Sequence, residues 1–280
     1  MLRVEQRDDG IAVYGAEPFD LEQTLDCGQC FRFVRTAEGW SGAAGSHAAT
    51  VFWENDVLRM RGVSPEAFEG FWRGYFDLDR SYTALREAFM ADKGLAPCVA
   101  YAPGIRLLHQ PAFETLICFI LSQNNHVPRI KGIADRLCRL FGEPLGEHFA
   151  FPTPERLALC EEEELAPLRS GWRAGYILDA ARRVAGGDVS LEEVARMPLD
   201  EARRELMRIR GVGPKVAECV LLYGMGRLEA FPMDVWMKRA MARLFPGSGP
   251  ERFGPYAGIA QQFIFHYCRR HPEEVRETSP

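Results

Sequence analysis

The stretch "LMRIRGVGPKVAECVLLYGMGRLEAFPMDVWM", from Leu206 to Met237, carries the strongest structural signal in this sequence. The pattern predicts a helix that ends near residue 209, a short turning loop, and a second helix from about residue 213. Gly211 and Gly213 free the backbone for a tight turn and for close approach by another molecule. The first amide hydrogens of the second helix lack partners within the helix, so they suit a phosphate oxygen. The stretch therefore predicts an element that grips a phosphate backbone.

Two chemically capable side chains lie in the same stretch. Lys215 opens the second helix, and Asp234 follows in "FPMDVWM". Taken singly, Lys215 suits a phosphate contact and Asp234 suits the N-cap of a helix beginning at Val235. Together with the hairpin, the G-V-G-x-K and Pro-x-Asp pattern resembles the DNA glycosylases of the helix-hairpin-helix/Gly-Pro-Asp superfamily. The resemblance implies that Lys215 makes the enzyme a bifunctional glycosylase and lyase.

The implied reaction explains both residue types. Breaking an N-glycosidic bond builds positive charge on the sugar, and a fixed carboxylate such as that of Asp234 stabilises this charge. The backbone amides of a helix N-terminus favour the ionised form of that carboxylate. A neutral Lys215 amine can attack the anomeric carbon and form a Schiff base. β-Elimination on the 3′ side can then cut the strand.

Length, composition and the N-terminal segment indicate a globular protein that stays inside the cell. The 280 residues are 47% hydrophobic, enough for one large or two moderate domains. The N-terminus is polar and no apolar run approaches a membrane span, so we expect a cytoplasmic, nucleoid-associated protein of a prokaryote. In that compartment the eight cysteines are expected to be reduced thiols.

The net charge is −5 overall, but residues 93–280 carry a net charge of +2, against −7 for residues 1–92. Basic residues cluster around the hairpin, as a phosphate-binding surface requires.

The pattern along the chain predicts an α+β fold. Residues 1–92 read as an antiparallel β domain with flanking helices, since short alternating runs are separated by Asp-Gly, Gly and Asn-Asp turns. Residues 93–280 read as a helical helix-hairpin-helix glycosylase region, with an apolar central helix over 111–123. Further helices are predicted over 172–185, 190–196, 199–209, 213–223, 235–245 and 256–270.

A second motif narrows the resemblance to 8-oxoguanine DNA glycosylases over most of the chain. The segment "CGQCFRF" is similar to the family's "SGQxFRW", whose glycine supplies a backbone carbonyl to the lesion, and this places the match at Gly28. Guanine has a bare N7 acceptor, whereas 8-oxoguanine carries a hydrogen there. A carbonyl fixed at Gly28 would gain a hydrogen bond from the lesion alone. The flanking Cys27 and Cys30 lack partners at metal-ligand spacing, so no metal site is expected.

The same resemblance supplies the remaining substrate pocket. Cys219 lies four residues after Lys215, on the same helix face, and would contact one face of the flipped base. Phe265 would stack on the other face, and Gln261, one turn before it, would bond the Watson–Crick edge. Trp236 replaces the histidine that vertebrate members carry two residues after the aspartate. Cys268 replaces the acid that supports this histidine.

Two segments are similar to the family's contacts with the opposite strand. In "LSQNNHVPRI", Asn124 would fill the space of the flipped base, with Asn125 beside it, and Arg129 would bond the orphaned cytosine. In "SGWRAGY", Trp172 would insert as a wedge into the opened base stack, and Arg173 would also reach the cytosine. Trp172 stands where the family has a tyrosine. The hairpin would hold the DNA backbone through Gly211, Gly213 and Val216.

The expected function is therefore base-excision repair of 8-oxoguanine, preferably opposite cytosine, by a monomer acting on duplex DNA. Two alternatives stay open: a superfamily member acting on another alkylated or oxidised base, and a non-enzymatic helix-hairpin-helix DNA-binding protein. Endonuclease III-like relatives hold an iron–sulfur cluster with four closely spaced cysteines, and Cys268 is the only cysteine after Cys219, so no cluster is expected. No cofactor is expected beyond a possible monovalent cation on the backbone between Arg210 and Lys215.

Overall fold

A six-stranded antiparallel sheet forms the first half of the fold. The computed structural model of the protein describes residues 2–274. Within them the sheet has the order β1-β2-β6-β5-β4-β3, and a short second pair, β7-β8, lies outside it. The strands are β1 Arg3–Arg7, β2 Gly10–Tyr14, β3 Phe33–Arg35, β4 Trp40–Ala44, β5 His47–Glu54, β6 Val57–Arg61, β7 Pro144–Leu145 and β8 His148–Phe149.

Local turn chemistry sets the register of the sheet. Asn55 and Asp56 have φ of 49° and 61°, so both occupy the left-handed region that a two-residue hairpin turn requires. Glu54 consequently pairs with Val57, and the predicted split at this point is confirmed. The buried residues of β5 and β6 alternate along each strand, so one face of the sheet is covered.

The rest of the described chain is helical. The α-helices are α1 Leu21–Leu25, α2 Pro65–Ala67, α3 Arg73–Tyr75, α4 Tyr82–Met90, α5 Ala96–Tyr101, α6 Ala112–Ser122, α7 Val127–Phe141, α8 Pro154–Ala158, α9 Arg173–Ala185, α10 Leu191–Arg196, α11 Leu199–Leu206, α12 Pro214–Cys219, α13 Val235–Leu244 and α14 Ala257–Arg270. Two π-helical turns, Phe68–Trp72 and Val220–Gly224, extend α2 and α12, and 3-10 turns occur at Glu162–Leu168, Pro250–Tyr256 and Pro272–Glu274.

Two hydrophobic clusters underlie this arrangement. One lies between the sheet and the helical run 65–75, and the other surrounds α6, whose residues from Glu114 to Leu121 are all buried. The predicted central helix is thus present. Tyr82 and Phe89 of α4 pack in the helical cluster, as does Phe31 from the sheet side. The predicted domain limit at residue 92 stays a prediction.

The loop 27–30 is held against the helical body by a buried glutamine. The side chain of Gln29 donates to the carbonyl of Arg106 at 2.8 Å and accepts from the amide of Leu108 at 2.9 Å. Gln110 donates to the carbonyl of Gln29 at 2.7 Å. Since Gln29 is fully buried, these bonds fix the neighbouring Gly28 relative to the body.

The predicted α+β class, with a β module on a helical body, is confirmed. Helix α7 was not predicted, and α11 ends at Leu206, three residues before the predicted limit. The His126 side chain caps α7 by accepting from the amide of Arg129, and histidine is a weak N-cap signal in a sequence. Over the described residues, none of the helices is long and apolar enough to cross a bilayer.

Candidate active site

A cavity of about 390 Å³ lies where the loop 27–30, the end of α6, α12, the loop before α13 and α14 meet. It gathers Lys215 and Asp234 with all of the residues predicted to bind the base, although these come from separate parts of the chain. The lining residues are Gly28, Phe31, Phe119, Ser122, Asn125, His126, Val127, Ile130, Lys215, Cys219, Tyr223, Pro232, Asp234, Trp236, Gln261, Phe265 and Arg269. A more open cavity on the sheet side contains none of the predicted site residues.

The hairpin places Lys215 at the cavity wall. Gly211 has φ of 83°, and a Cβ there would lie 2.1 Å from the ring of Tyr176, so only glycine fits. The carboxylate of Asp179 accepts from the amide of Arg210 at 2.7 Å and fixes the approach to the turn. Helix α12 then begins at Pro214, which has no amide hydrogen to lose.

The start of α12 leaves donors for an anion. In α12 the amide of Ala217 is the first to bond a backbone carbonyl, that of Gly213 at 3.0 Å. The amides of Lys215 and Val216 find no backbone acceptor among the described residues. Val216 is 3% exposed as a whole residue, so the predicted DNA contact there stays a prediction. This geometry suits a phosphate oxygen.

The amine of Lys215 is positioned by α6. Its Nζ donates to Ser122 Oγ at 3.4 Å and lies 4.9 Å from the centroid of the Phe119 ring. Cys219 follows one turn later, and burial raises the pKa of its thiol to about 11, against the opposing effect of the Lys215 charge. Cys219 is therefore a neutral thiol at pH 7, suited to packing on a base.

Asp234 acts as the N-cap of α13. Its Oδ1 accepts from the amide of Met237 at 2.8 Å, which fixes the carboxylate at the cavity wall. Its Oδ2 makes no hydrogen bond with the described residues. One oxygen therefore holds the side chain in place, and the other is available to a charge developing in the cavity.

Three elements supply the surfaces that would contact a base. Gly28 has φ of 94°, and a Cβ there would lie 3.3 Å from Arg269 and 3.4 Å from Phe265. Gln261 is 3% exposed, and its Nε2 donates to the carbonyl of Pro232 at 3.4 Å. The carbonyl side of its amide faces the Tyr223 hydroxyl at 3.2 Å.

The segment between α6 and α7 forms the rim of the cavity. Asn124 is exposed with φ of 45°, a left-handed conformation that asparagine tolerates. Asn125 donates to the carbonyl of Leu121 at 3.0 Å, which orders the turn. The exposed Arg129 reaches Asn125 Oδ1 at 3.4 Å and the carbonyl of Arg169 at 3.1 Å.

Trp172 and Arg173 stand at the start of α9 with different exposures. Trp172 is 51% exposed and packs edge-on against Tyr176 at 5.1 Å between ring centroids. Arg173 is 3% exposed, and its guanidinium donates to the carbonyls of Gln123, Asn124 and Ser170. Arg173 thus holds the rim segment here, while its predicted contact with cytosine stays a prediction.

Sequence reasoning missed several residues of the cavity. Phe119 and Ser122 lie three residues apart on α6, and Pro232 and Arg269 border the predicted residues. Tyr223 follows Lys215 and Cys219 at intervals of four, so helical periodicity could have found it. Only the packing of α6 against α12 could have identified Phe119 and Ser122.

Trp236 and Cys268, which depart from the vertebrate pattern, differ in their exposure to solvent. Trp236 is 42% exposed and lines the cavity. Cys268 is 1% exposed, and burial raises the pKa of its thiol to about 12, so it offers no charge at pH 7.

Cys27 and Cys30, the cysteine pair of the loop 27–30, are buried and protonated. Burial raises the pKa of Cys27 to about 12 and also raises that of Cys30. All eight cysteines are free thiols. Over residues 2–274, His, Cys, Asp and Glu side chains form no group of three that could hold a metal ion.

Comparisons with known proteins identify both halves of the chain. Residues 11–116 match the family model described as "8-oxoguanine DNA glycosylase, N-terminal domain". Residues 117–252 match the model described as "HhH-GPD superfamily base excision DNA repair protein". The N-glycosylase/DNA lyase OGG1 of Arabidopsis thaliana is 31% identical over 285 residues, which cover 88% of this chain and 76% of that protein.

Two solved structures share the architecture over nearly the whole chain. MBOgg1 in complex with a low-affinity DNA ligand has a TM-score of 0.92 and 37% identity, covering 97% of this chain and 99% of that one. The 8-oxoguanine glycosylase/lyase of Clostridium acetobutylicum, bound to duplex DNA with cytosine opposite 8-oxoG, has a TM-score of 0.90 and 33% identity, covering 96% and 98%.

Proposed function

This chain belongs to the 8-oxoguanine DNA glycosylases of the HhH-GPD superfamily, and on that premise we propose that it excises 8-oxoguanine from duplex DNA and cleaves the strand at the resulting site. The observation that carries the proposal is one cavity that joins an amine, a carboxylate and a base-sized apolar slot. Lys215 and Asp234 line it together with Cys219, Phe265 and Gln261.

The cavity suits a purine rotated out of the helix. The base would stack between the thiol of Cys219 and the ring of Phe265, both of which line the cavity. The carbonyl of Gly28 would accept from the N7 hydrogen that only the oxidised base carries. Guanine would instead place a lone pair against that carbonyl, which costs about 1–3 kcal/mol as an unmet polar contact.

Excision and strand cleavage follow from one nucleophile. The neutral amine of Lys215 attacks the anomeric carbon, and the base leaves with the electron pair of the glycosidic bond. Asp234 stabilises the positive charge that the sugar carries during this exchange. Loss of a proton and ring opening give an imine between Lys215 and the sugar. Removal of a neighbouring C2′ hydrogen then expels the 3′ phosphate by β-elimination.

The hairpin would hold the phosphate backbone during these steps. The free amides of Lys215 and Val216 supply the donors. Among the described residues, the carbonyls of Arg210 and Val212 accept no hydrogen bond, so they fit a monovalent cation that would neutralise part of the phosphate charge.

The experiment that tests this function is borohydride trapping on a duplex with one 8-oxoguanine opposite cytosine. A covalent protein–DNA adduct is expected with the lesion and not with a guanine duplex of the same sequence, because borohydride reduces the imine. Base loss without an adduct would contradict the lyase chemistry. Absence of both would contradict 8-oxoguanine as the substrate and favour another lesion or a non-catalytic DNA-binding role.

Excision is expected to be fastest opposite cytosine. The guanidinium of Arg129 lies exposed at the rim, where it can donate to the acceptors of an unpaired cytosine. A bidentate contact of this kind is worth about 1–3 kcal/mol, so the other opposite bases should react about tenfold more slowly or worse. Single-turnover rates with the four opposite bases measure this preference. Arg129→Ala should narrow it, and equal rates for the unaltered protein would contradict it.

A further inference from the structure

Tyr223 brings a buried hydroxyl to the cavity wall. Its side chain lines the cavity and is 4% exposed. The hydroxyl lies 3.2 Å from Gln261 Oε1 and 2.7 Å from Gln262 Oε1. Burial holds the pKa of Tyr223 well above its ordinary value, so the phenol keeps its proton and acts as a donor.

The position of this hydroxyl is set by a rigid stack. Tyr223 lies in the π-helical turn Val220–Gly224, which continues α12 after Cys219. Its ring stacks on Phe119 with centroids 5.4 Å apart and an angle of 13° between the planes. π-Helical turns re-aim side chains and occur often at functional sites. The turn thus points Tyr223 at the pair of glutamines on α14.

The two glutamines have different positions relative to the cavity, since Gln261 lines it and Gln262 does not. Gln261 lines the cavity directly, and its Nε2 bonds the carbonyl of Pro232. Gln262 is 1% exposed, and its Nε2 reaches the carbonyl of Cys27 at 3.5 Å, one residue before Gly28. The Tyr223 hydroxyl therefore connects the residue placed for the Watson–Crick edge with the loop placed for the N7 edge.

The Tyr223 hydroxyl has too few hydrogens for the acceptors around it. A phenol donates one hydrogen, yet two amide oxygens face it. The shorter distance, to Gln262, places the proton mainly there. Gln261 Oε1 is then a buried acceptor that is short of a donor. The N1–H and N2–H groups of a guanine-type edge can supply one. At the same two positions an adenine-type edge presents an acceptor at N1 and a C–H at C2, and its N6 amino group lies where guanine carries O6.

We propose that Tyr223 is a positioning residue that makes the cavity select a guanine-type Watson–Crick edge, because its hydroxyl hydrogen, directed at both glutamine oxygens with Gln262 the nearer, favours the orientation of the Gln261 amide that presents its oxygen as an acceptor. This inference rests on the proposed function and deepens it. Gly28 would distinguish oxidised from normal guanine, and Tyr223, through Gln261, distinguishes oxidised guanine from oxidised adenine. Both 8-oxopurines carry the N7 hydrogen, so Gly28 alone cannot separate them.

The test is Tyr223→Phe, which removes the hydroxyl and keeps the ring stack. Excision from an 8-oxoguanine:cytosine duplex is measured in single turnover, and unlabelled duplexes with 8-oxoguanine or 8-oxoadenine opposite cytosine compete. The preference is the ratio of the 8-oxoadenine to the 8-oxoguanine competitor concentration that halves the excision rate. Tyr223→Phe is expected to lower this ratio about tenfold. Tyr267→Phe is the matched control, because Tyr267 lies on α14 outside the cavity and packs on Tyr101 and His271. It should keep the preference within about twofold.

A second variant distinguishes a loss of base selectivity from a nonspecific disruption of the cavity. Gln262→Met removes the other end of the bond and should narrow the preference in the same direction. The double variant should lose little more than Tyr223→Phe alone, because the two changes break one interaction. Tyr223 plays no part in selectivity if Tyr223→Phe weakens the affinity for both competitors by the same factor, or if both affinities stay unchanged. If the unaltered protein excises no 8-oxoguanine, the proposed function itself fails, and this inference fails with it.

Discussion

Lys215→Gln is expected to form no borohydride-stable adduct and to slow excision by roughly 10³-fold or more, since it removes the nucleophile of both steps. Glutamine keeps the length and polarity of the side chain, so the bond to Ser122 and the packing on Phe119 can persist. The affinity for a lesion duplex should therefore change little. Single-turnover excision, trapping and equilibrium binding on the same duplex measure the three quantities.

The control for this variant is Lys238→Gln. Lys238 is exposed on α13 and does not line the cavity, so it should keep both the adduct and the rate. The comparison separates loss of one charge from loss of the nucleophile. An adduct that persists in Lys215→Gln, or excision at a near-normal rate, would reduce Lys215 to a phosphate contact.

Asp234→Asn is expected to slow excision by about 10²–10³-fold, because it removes the charge that stabilises the sugar cation. The change leaves the cap of α13 in place, since an amide oxygen can still accept from the amide of Met237. Thermal stability and lesion binding should therefore stay close to those of the unaltered protein.

Asp234→Ala distinguishes the charge from the cap. It should slow excision as strongly as Asp234→Asn and should also cost about 1 kcal/mol of the free energy of unfolding through loss of the cap. Single-turnover rates and thermal unfolding of the two variants are compared. Normal excision by Asp234→Asn would leave Asp234 with a structural role only.

Some features could be predicted because their signals are local. The Asn55-Asp56 hairpin follows from two residues that tolerate positive φ, and the α13 cap follows from an aspartate before a helical run. The helix-hairpin-helix pattern, with Lys215 at the start of its second helix, rests on Gly211, whose φ of 83° favours glycine. Residues of this kind are fixed by neighbours in the chain or by a steric rule.

Other features could not be predicted, because they depend on contacts between distant segments. Arg173 suited a DNA contact by its motif, yet its guanidinium is buried against carbonyls some 49 and 50 residues away in the sequence. Helix α7 lacked a strong start signal, and its amphipathic face finds its partner only in the assembled body. The spacing of Tyr223 from Lys215 and Cys219 places it on their helix face, but its bonds to the two glutamines of α14 depend on the tertiary structure.

Local patterns were enough to predict the class of fold, the hairpin and the candidate pair Lys215 and Asp234, since turn sterics, helix capping and the reactivity of side chains act over a few residues. Only the tertiary structure decided which groups share the cavity and how each is used. It brought Gln29 to anchor the loop of Gly28, Phe119 to support Lys215, and Tyr223 to bridge two glutamines. These roles arise from packing and from hydrogen bonds across long sequence separations, and no local pattern encodes the distance between two such groups.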